Sequence, residues 1–216
     1  FSLGILPTIA PYLLPRFFTR LQREHPEADI RVMEMKTADI KRALNRGELD
    51  AAILVSLDDM DHYVQTPLFY EQFLAYVSRG DALFSHKAIK TCDLNNEFLW
   101  LLDEGHCFRD QLVKFCQLKS ADSSKKTYSL GSIETFMRMV EGGQGVTFIP
   151  ELALEQLSPA QHELVRPFAL PIPVREVVLL TTRAFVRHSV LNLIADAVRS
   201  SVPQRMLQFN NTEQRV

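Results

Sequence analysis

One run of twelve residues, Gly105-His106-Cys107-Phe108-Arg109-Asp110-Gln111-Leu112-Val113-Lys114-Phe115-Cys116, concentrates reactive side chains more than any other. The spacing of Phe108, Leu112 and Phe115 predicts a helix from about Cys107 to Leu118, so Cys107 falls where a loop enters a helix. A thiol there is acidified by the partial positive charge of the helix start and by neighbouring cations, for which His106 and Arg109 are candidates. An acidic, accessible thiol is what peroxides oxidise first, giving a sulfenic acid that a second thiol can condense with. Cys116 lies nine residues on. Along a continuous helix that is a rise of about 13.5 Å and half a turn net, whereas a disulfide needs Cα atoms within about 7 Å. A bridge between the two would require the helix to unwind, which is the pattern of a switch. The plainer alternative stands beside it, since a cysteine on an apolar helical face is usually core. Cys92 is assigned no redox partner and is expected to be structural or inert.

Other chemistries are poorly supplied. The six histidines are scattered and no C-x-x-C or H-E-x-x-H occurs. His106-Cys107 with Cys116 is poor spacing for zinc, so neither a metal nor a cofactor is expected. Gly142-Gly143-Gln144-Gly145 follows a helix and precedes a strand, the reverse of a phosphate cradle, and reads as a helix end and tight turn. There is no G-x-S-x-G elbow. The carboxylates Asp58, Asp59 and Glu104 lie in turn-like, solvated stretches.

The elements that must position this segment read as alternating strands and helices. Ser2–Leu6 is a short buried strand. Ile9, Leu13, Phe17 and Leu21 share one helical face, and Pro15 is expected to kink or split that helix. Ala28–Met35 is strand-like. Thr37 is expected to cap a helix through Leu44 that Gly47 closes, and Asp50–Val55 is a further strand. This β-α-β-α-β order argues for a parallel sheet. Tyr63–Tyr70 and Gln72–Ser78 read as two strands around Glu71, and Phe98–Leu102 as another. Ser120–Lys126 reads as a polar loop, with a short strand near Tyr128. Ser132–Glu141 is a helix and Gly145–Ile149 a strand, and Pro150 is expected to open a short helix at its first position. Val174–Thr182 is a strand, His188–Ser200 an amphipathic helix, and the tail from Pro203 is expected to be disordered.

The chain has 216 residues, 46% hydrophobic and 23% charged, with a formal net charge of −2. That is a globular composition without the basic footprint of a self-sufficient nucleic-acid binder. Three cysteines are too few for a disulfide scaffold and point to a reducing compartment. No run is long enough for a membrane span. The start at Phe1, directly in strand-like residues, suggests a fragment.

Three blocks resemble a known family. They are Gly4-Ile5-Leu6-Pro7-Thr8-Ile9-Ala10-Pro11-Tyr12-Leu13-Leu14-Pro15, then Glu104-Gly105-His106-Cys107-Phe108-Arg109-Asp110-Gln111 with Phe115-Cys116, and Ser132-Ile133-Glu134-Thr135 running to Gly142 through Pro150. Together they resemble the regulatory domain of the peroxide-sensing LysR-type transcriptional regulators, the OxyR family, over residues 2 to 200. The last block and Gly47-Glu48-Leu49-Asp50 are general to LysR-type effector domains, whereas the two-cysteine block is specific to the peroxide sensors.

The resemblance implies an α/β fold, a two-lobed, periplasmic-binding-protein-like effector-binding domain. Residues 1–74 with 176–216 would form lobe I, and residues 75–175, with the redox segment, lobe II. The N-terminal winged helix-turn-helix of full-length members is absent from this chain. By resemblance Cys107 is the peroxide-reactive thiol and Cys116 the resolving thiol. Thr8, Thr37, His106 and Arg175 are peroxide-pocket positions, with Arg109 and Asp110 supporting them from behind. The implied biology is a cytoplasmic activator of oxidative-stress genes that senses hydrogen peroxide and works as a homodimer or tetramer. It would touch DNA only through the missing domain, act on RNA polymerase, be reset by a glutaredoxin- or thioredoxin-like reductant, and bind no membrane. It is not expected to be an enzyme. The rivals are a LysR-type domain that senses a small metabolite between its lobes, and a thiol peroxidase.

Overall fold

The computed structural model describes residues 1–102, 107–117 and 132–216. The chain divides into two compact units. Unit 1 comprises Phe1–Glu71 and Arg175–Phe209; unit 2 comprises Gln72–Val174 and Asn210–Val216. The last seven residues thus belong with unit 2, and not with the first lobe as expected from sequence.

Unit 1 grows from its N-terminal strands. β1 (Ser2–Ile5) lies between β2 (Arg31–Glu34) and β3 (Ala51–Val55) and is parallel to both. Every residue of β3 is buried, as expected of a parallel strand covered on both faces. The crossovers are α1 (Ala10–Glu24) and α2 (Thr37–Asn45). α1 buries Tyr12, Leu13, Phe17 and Leu21 on one face. Pro15 is exposed on the other face, and the expected split does not occur: the helix runs through it. α2 begins at Thr37 itself with Lys36 as its cap, so Thr37 is not the cap. Gly47, at φ 70°, supplies the left-handed turn after the helix.

Two long strands carry the chain from one unit to the other. β4 (Tyr63–Val77) is a single strand and not two, and it crosses between Glu71 and Gln72. Five residues past Gln72 the strand ends, at Val77. A later strand, β7 (Ile172–Thr182), crosses back between Val174 and Arg175. In unit 1 its Val177–Leu180 stretch pairs antiparallel with β3. α6 (His188–Ser201) follows and packs against α1, where Arg16 Nε donates to the Ser201 carbonyl, 2.9 Å.

In unit 2 the end of β4 is flanked by β5 (Val146–Pro150) and β6 (Val165–Pro167), both antiparallel to it. The described helices of this unit are α3 (Cys107–Cys116), α4 (Ile133–Glu141) and the short α5 (Pro159–His162). Ser132 caps α4 by accepting from the Thr135 amide, 3.1 Å. Pro150 ends β5 and caps a 3-10 turn over Glu151–Gln156, so it does not occupy the first helical position. The strand expected over 98–102 reduces to one bridge, Leu99 with Val146. The tail is ordered, contrary to the expectation from its polarity. Gln204–Leu207 forms a 3-10 turn in unit 1, and β8 (Glu213–Arg215) pairs parallel with Ile172–Val174 at the start of β7. The expected loop and strand between 118 and 131, and the loop 103–106, lie outside the described residues.

Candidate redox site

α3 is a ten-residue helix with Cys107 as its first residue and Cys116 as its last. Gln117, at φ 49°, ends it in the left-handed region. None of the three cysteines is bridged. At 1.5 Å per residue the helix alone sets the two Cα atoms about 13.5 Å apart, about twice the reach of a disulfide. Cys107 is 7% exposed and Cys116 4%. Cys107 is therefore more enclosed than the accessible thiol expected from sequence. Burial pushes the Cys116 thiol up to about 12, so at neutral pH it is protonated, and it reacts as a nucleophile only once the helix releases it. Cys92 is exposed, with Sγ 3.9 Å from Asp93 Oδ1.

The buried face of α3 is mixed. Phe108 stacks obliquely on Phe73 at 4.8 Å, and Leu112 is buried beside it in sequence phase. Phe115 is only half-buried, edge-on to Phe168 at 6.0 Å. Arg109 and Gln111 are buried in its place. Arg109 Nη1 reaches Asp110 Oδ1, 3.4 Å, and Asp110 itself is exposed. Gln111 Nε2 donates to the Val216 carbonyl, 2.7 Å. His106 lies outside the described residues.

Unit 1 assembles a second cluster around Arg175. Arg175 and Glu71 are each 1% exposed. Arg175 Nε donates to Glu71 Oε2 at 2.8 Å, Nη1 to Thr8 Oγ1 at 3.1 Å, and Nη2 to the Thr8 carbonyl at 3.0 Å. The guanidinium thus brings Thr8 and Arg175 together, with its buried charge matched by Glu71. Because Thr8 Oγ1 accepts from Arg175, its own O–H is left to donate. Thr37 starts α2, and its buried Oγ1 has no hydrogen-bond partner among the described residues. An orphaned hydroxyl of that kind suits a small polar ligand. Glu71 and Gln111 were not legible as site residues from sequence. The one hint at Glu71 is a carboxylate between two apolar strand runs.

Residues 1–203 match the LysR substrate binding domain family. A hydrogen peroxide-inducible genes activator from Dickeya chrysanthemi is 30% identical over 94% of this chain and 67% of its own length. The DNA-binding transcriptional dual regulator OxyR of Escherichia coli is 29% identical over 92% of this chain. The chain spans 65% of that relative's length. The crystal structure of reduced OxyR from Porphyromonas gingivalis superposes with a TM-score of 0.90 at 46% identity, covering 100% of this chain and 99% of that one. A likeness of that extent means that the chain belongs to the LysR substrate-binding domain family and, within it, to the OxyR regulatory domains.

Proposed function

We propose that this chain is the redox-sensing domain of a hydrogen-peroxide-responsive transcription factor and that it switches through a Cys107–Cys116 disulfide. The observation that carries the reading is one helix with unbridged thiols as its first and last residues, too far apart to join while it stays helical. In the first step the Cys107 thiolate attacks one peroxide oxygen. The S–O bond forms, the O–O bond breaks, and the departing hydroxide takes a proton and leaves as water. In the second step Cys116 attacks the sulfenic sulfur, the S–S bond forms, and a second water leaves. Enclosure of Cys107 favours a small oxidant.

Thr8, Thr37, His106 and Arg175 bind the peroxide in this reading, and Arg109 and Asp110 support them. The orphaned hydroxyl of Thr37 and the polarised hydroxyl of Thr8 are what unit 1 contributes in its favour. The thiol reacts once per activation cycle, so the domain is a sensor and not a turnover enzyme. DNA contact, homo-oligomer formation, action on RNA polymerase and resetting by a glutaredoxin- or thioredoxin-like reductant in the cytoplasm complete the proposal, with a changed subunit interface as the output. Peptide mass spectrometry after one equivalent of peroxide tests it. The expected product is a Cys107–Cys116 bridge in the wild type, and a dimedone adduct at Cys107 in Cys116→Ser. Labelling at Cys116 in Cys107→Ser at the same rate would overturn the assignment of roles.

A further inference from the structure

We propose that residues 210–216 are a strap whose docking on unit 2 reports the state of α3, with Gln111 as the latch. The inference rests on the disulfide switch proposed above. The chain leaves unit 1 after Phe209, whose ring lies 5.6 Å from that of Tyr70, and enters unit 2 at Asn210. No residue from Gln208 to Val216 is fully buried, so the strap has little apolar burial to hold it. Its described attachments within unit 2 are polar. They are the three-residue ladder of β8 on Ile172–Val174, the Ile172 amide to the Thr212 carbonyl at 3.0 Å, the Val216 amide to the Val174 carbonyl at 3.1 Å, Gln72 Nε2 to Glu213 Oε1 at 3.2 Å, and Gln111 Nε2 to the Val216 carbonyl at 2.7 Å.

Of these attachments among the described residues, the bond from Gln111 comes from α3. Gln111 is 5% exposed, and the helix also buries Cys107, Phe108, Arg109, Leu112 and Cys116. Its Oε1 has no hydrogen-bond partner among the described residues. An amide kept in such a place at a cost has its donor committed to the strap. Gln111 also stands between the two thiols in sequence. Any unwinding that brings Cys107 and Cys116 within bridging distance therefore displaces it. The bridged protein keeps the short ladder and loses the latch.

Hydrogen exchange by mass spectrometry on reduced and peroxide-oxidised protein tests this, with bridge formation scored in the same samples. Exchange in peptides covering 212–216 is expected to rise about tenfold on oxidation, as for a segment that opens locally. Reduced Gln111→Leu is expected to show the same fast exchange without any bridge. Gln72→Ala, which removes an attachment outside α3, is expected to raise exchange in both states and preserve the redox difference. Bridged protein with unchanged exchange over 212–216 would overturn the strap and leave the switch standing. Failure to form the bridge at all would overturn the switch, and the redox role of the strap with it. Slow exchange in reduced, folded Gln111→Leu would overturn the latch alone.

Discussion

Cys116 combines two properties that bear on its handling by pH. Its side chain is buried, and burial raises its thiol from an ordinary value of 9.0 to about 12. A group whose folded value lies above its unfolded one contributes stability that is complete below the unfolded value and disappears as pH rises through the folded one. The reduced domain should therefore lose stability between pH 9 and pH 12, by up to about 4 kcal/mol from this thiol. Cys116→Ser should flatten that part of a urea-denaturation pH profile; an equally steep loss in the variant would assign it to other groups. Glu71 gives a second test. Glu71→Ala leaves the guanidinium of Arg175 buried without its carboxylate and should cost about 3–5 kcal/mol. Chemical denaturation of the two proteins measures it, and a cost under 1 kcal/mol would mean that the charge finds another partner. Both polar residues that sequence reading passed over, Glu71 and Gln111, have partners more than a hundred positions away. Local pattern has no access to a pairing that only the fold creates. The cysteines stand out in the sequence by their place on a predicted helix, but spacing alone leaves a core role open, and their redox roles are implied by the resemblance to the OxyR family.

At the level of elements, periodic patterns translated well where burial was one-sided. α1, α2, α4 and α6 and the strands β1 and β3 follow their apolar spacing. Errors arose where long-range pairing overrode local chemistry. Pro15 should have broken α1, yet the apolar face around it keeps the helix whole. The polar tail should have been loose, yet it finds an unpaired edge at the start of β7. Glu71 looked like a break in β4 because its charge is neutralised by a residue on a different strand. Gly145, by contrast, is demanded twice. Its φ is +77°, and a Cβ there would lie 2.5 Å from the Phe98 carbonyl oxygen. Gly145→Ala should cost ~1–3 kcal/mol and disturb the Leu99–Val146 bridge, seen as a lower thermal midpoint. A midpoint equal to wild type would show that the Phe98 backbone can yield. α3 supplies the functional counterpart. On oxidation, amides of residues 107–117 should exchange faster, because the bridge and the helix exclude each other by distance. Protection unchanged in a sample shown to be bridged would rule out unwinding.

For the molecule as a whole, the formal charge of −2 bears on where nucleic-acid affinity resides. Phosphate contacts supply most non-specific affinity and need clustered lysine and arginine. This chain alone should therefore leave promoter DNA unshifted in a gel assay near physiological salt, in either oxidation state. A shift would place a DNA contact on this domain. The helices described are also too short or too polar to cross a membrane. The path of the backbone adds one more property. It changes unit three times, after Glu71, Val174 and Phe209. Because three is odd, Phe1 and Val216 fall in different units. Polypeptide joined ahead of Phe1 is carried by unit 1, while a dye beside Val216 travels with unit 2 for as long as the final segment stays docked. Energy transfer between dyes at the two ends would then follow both bodies at once, with neither hydrophobic core carrying a label.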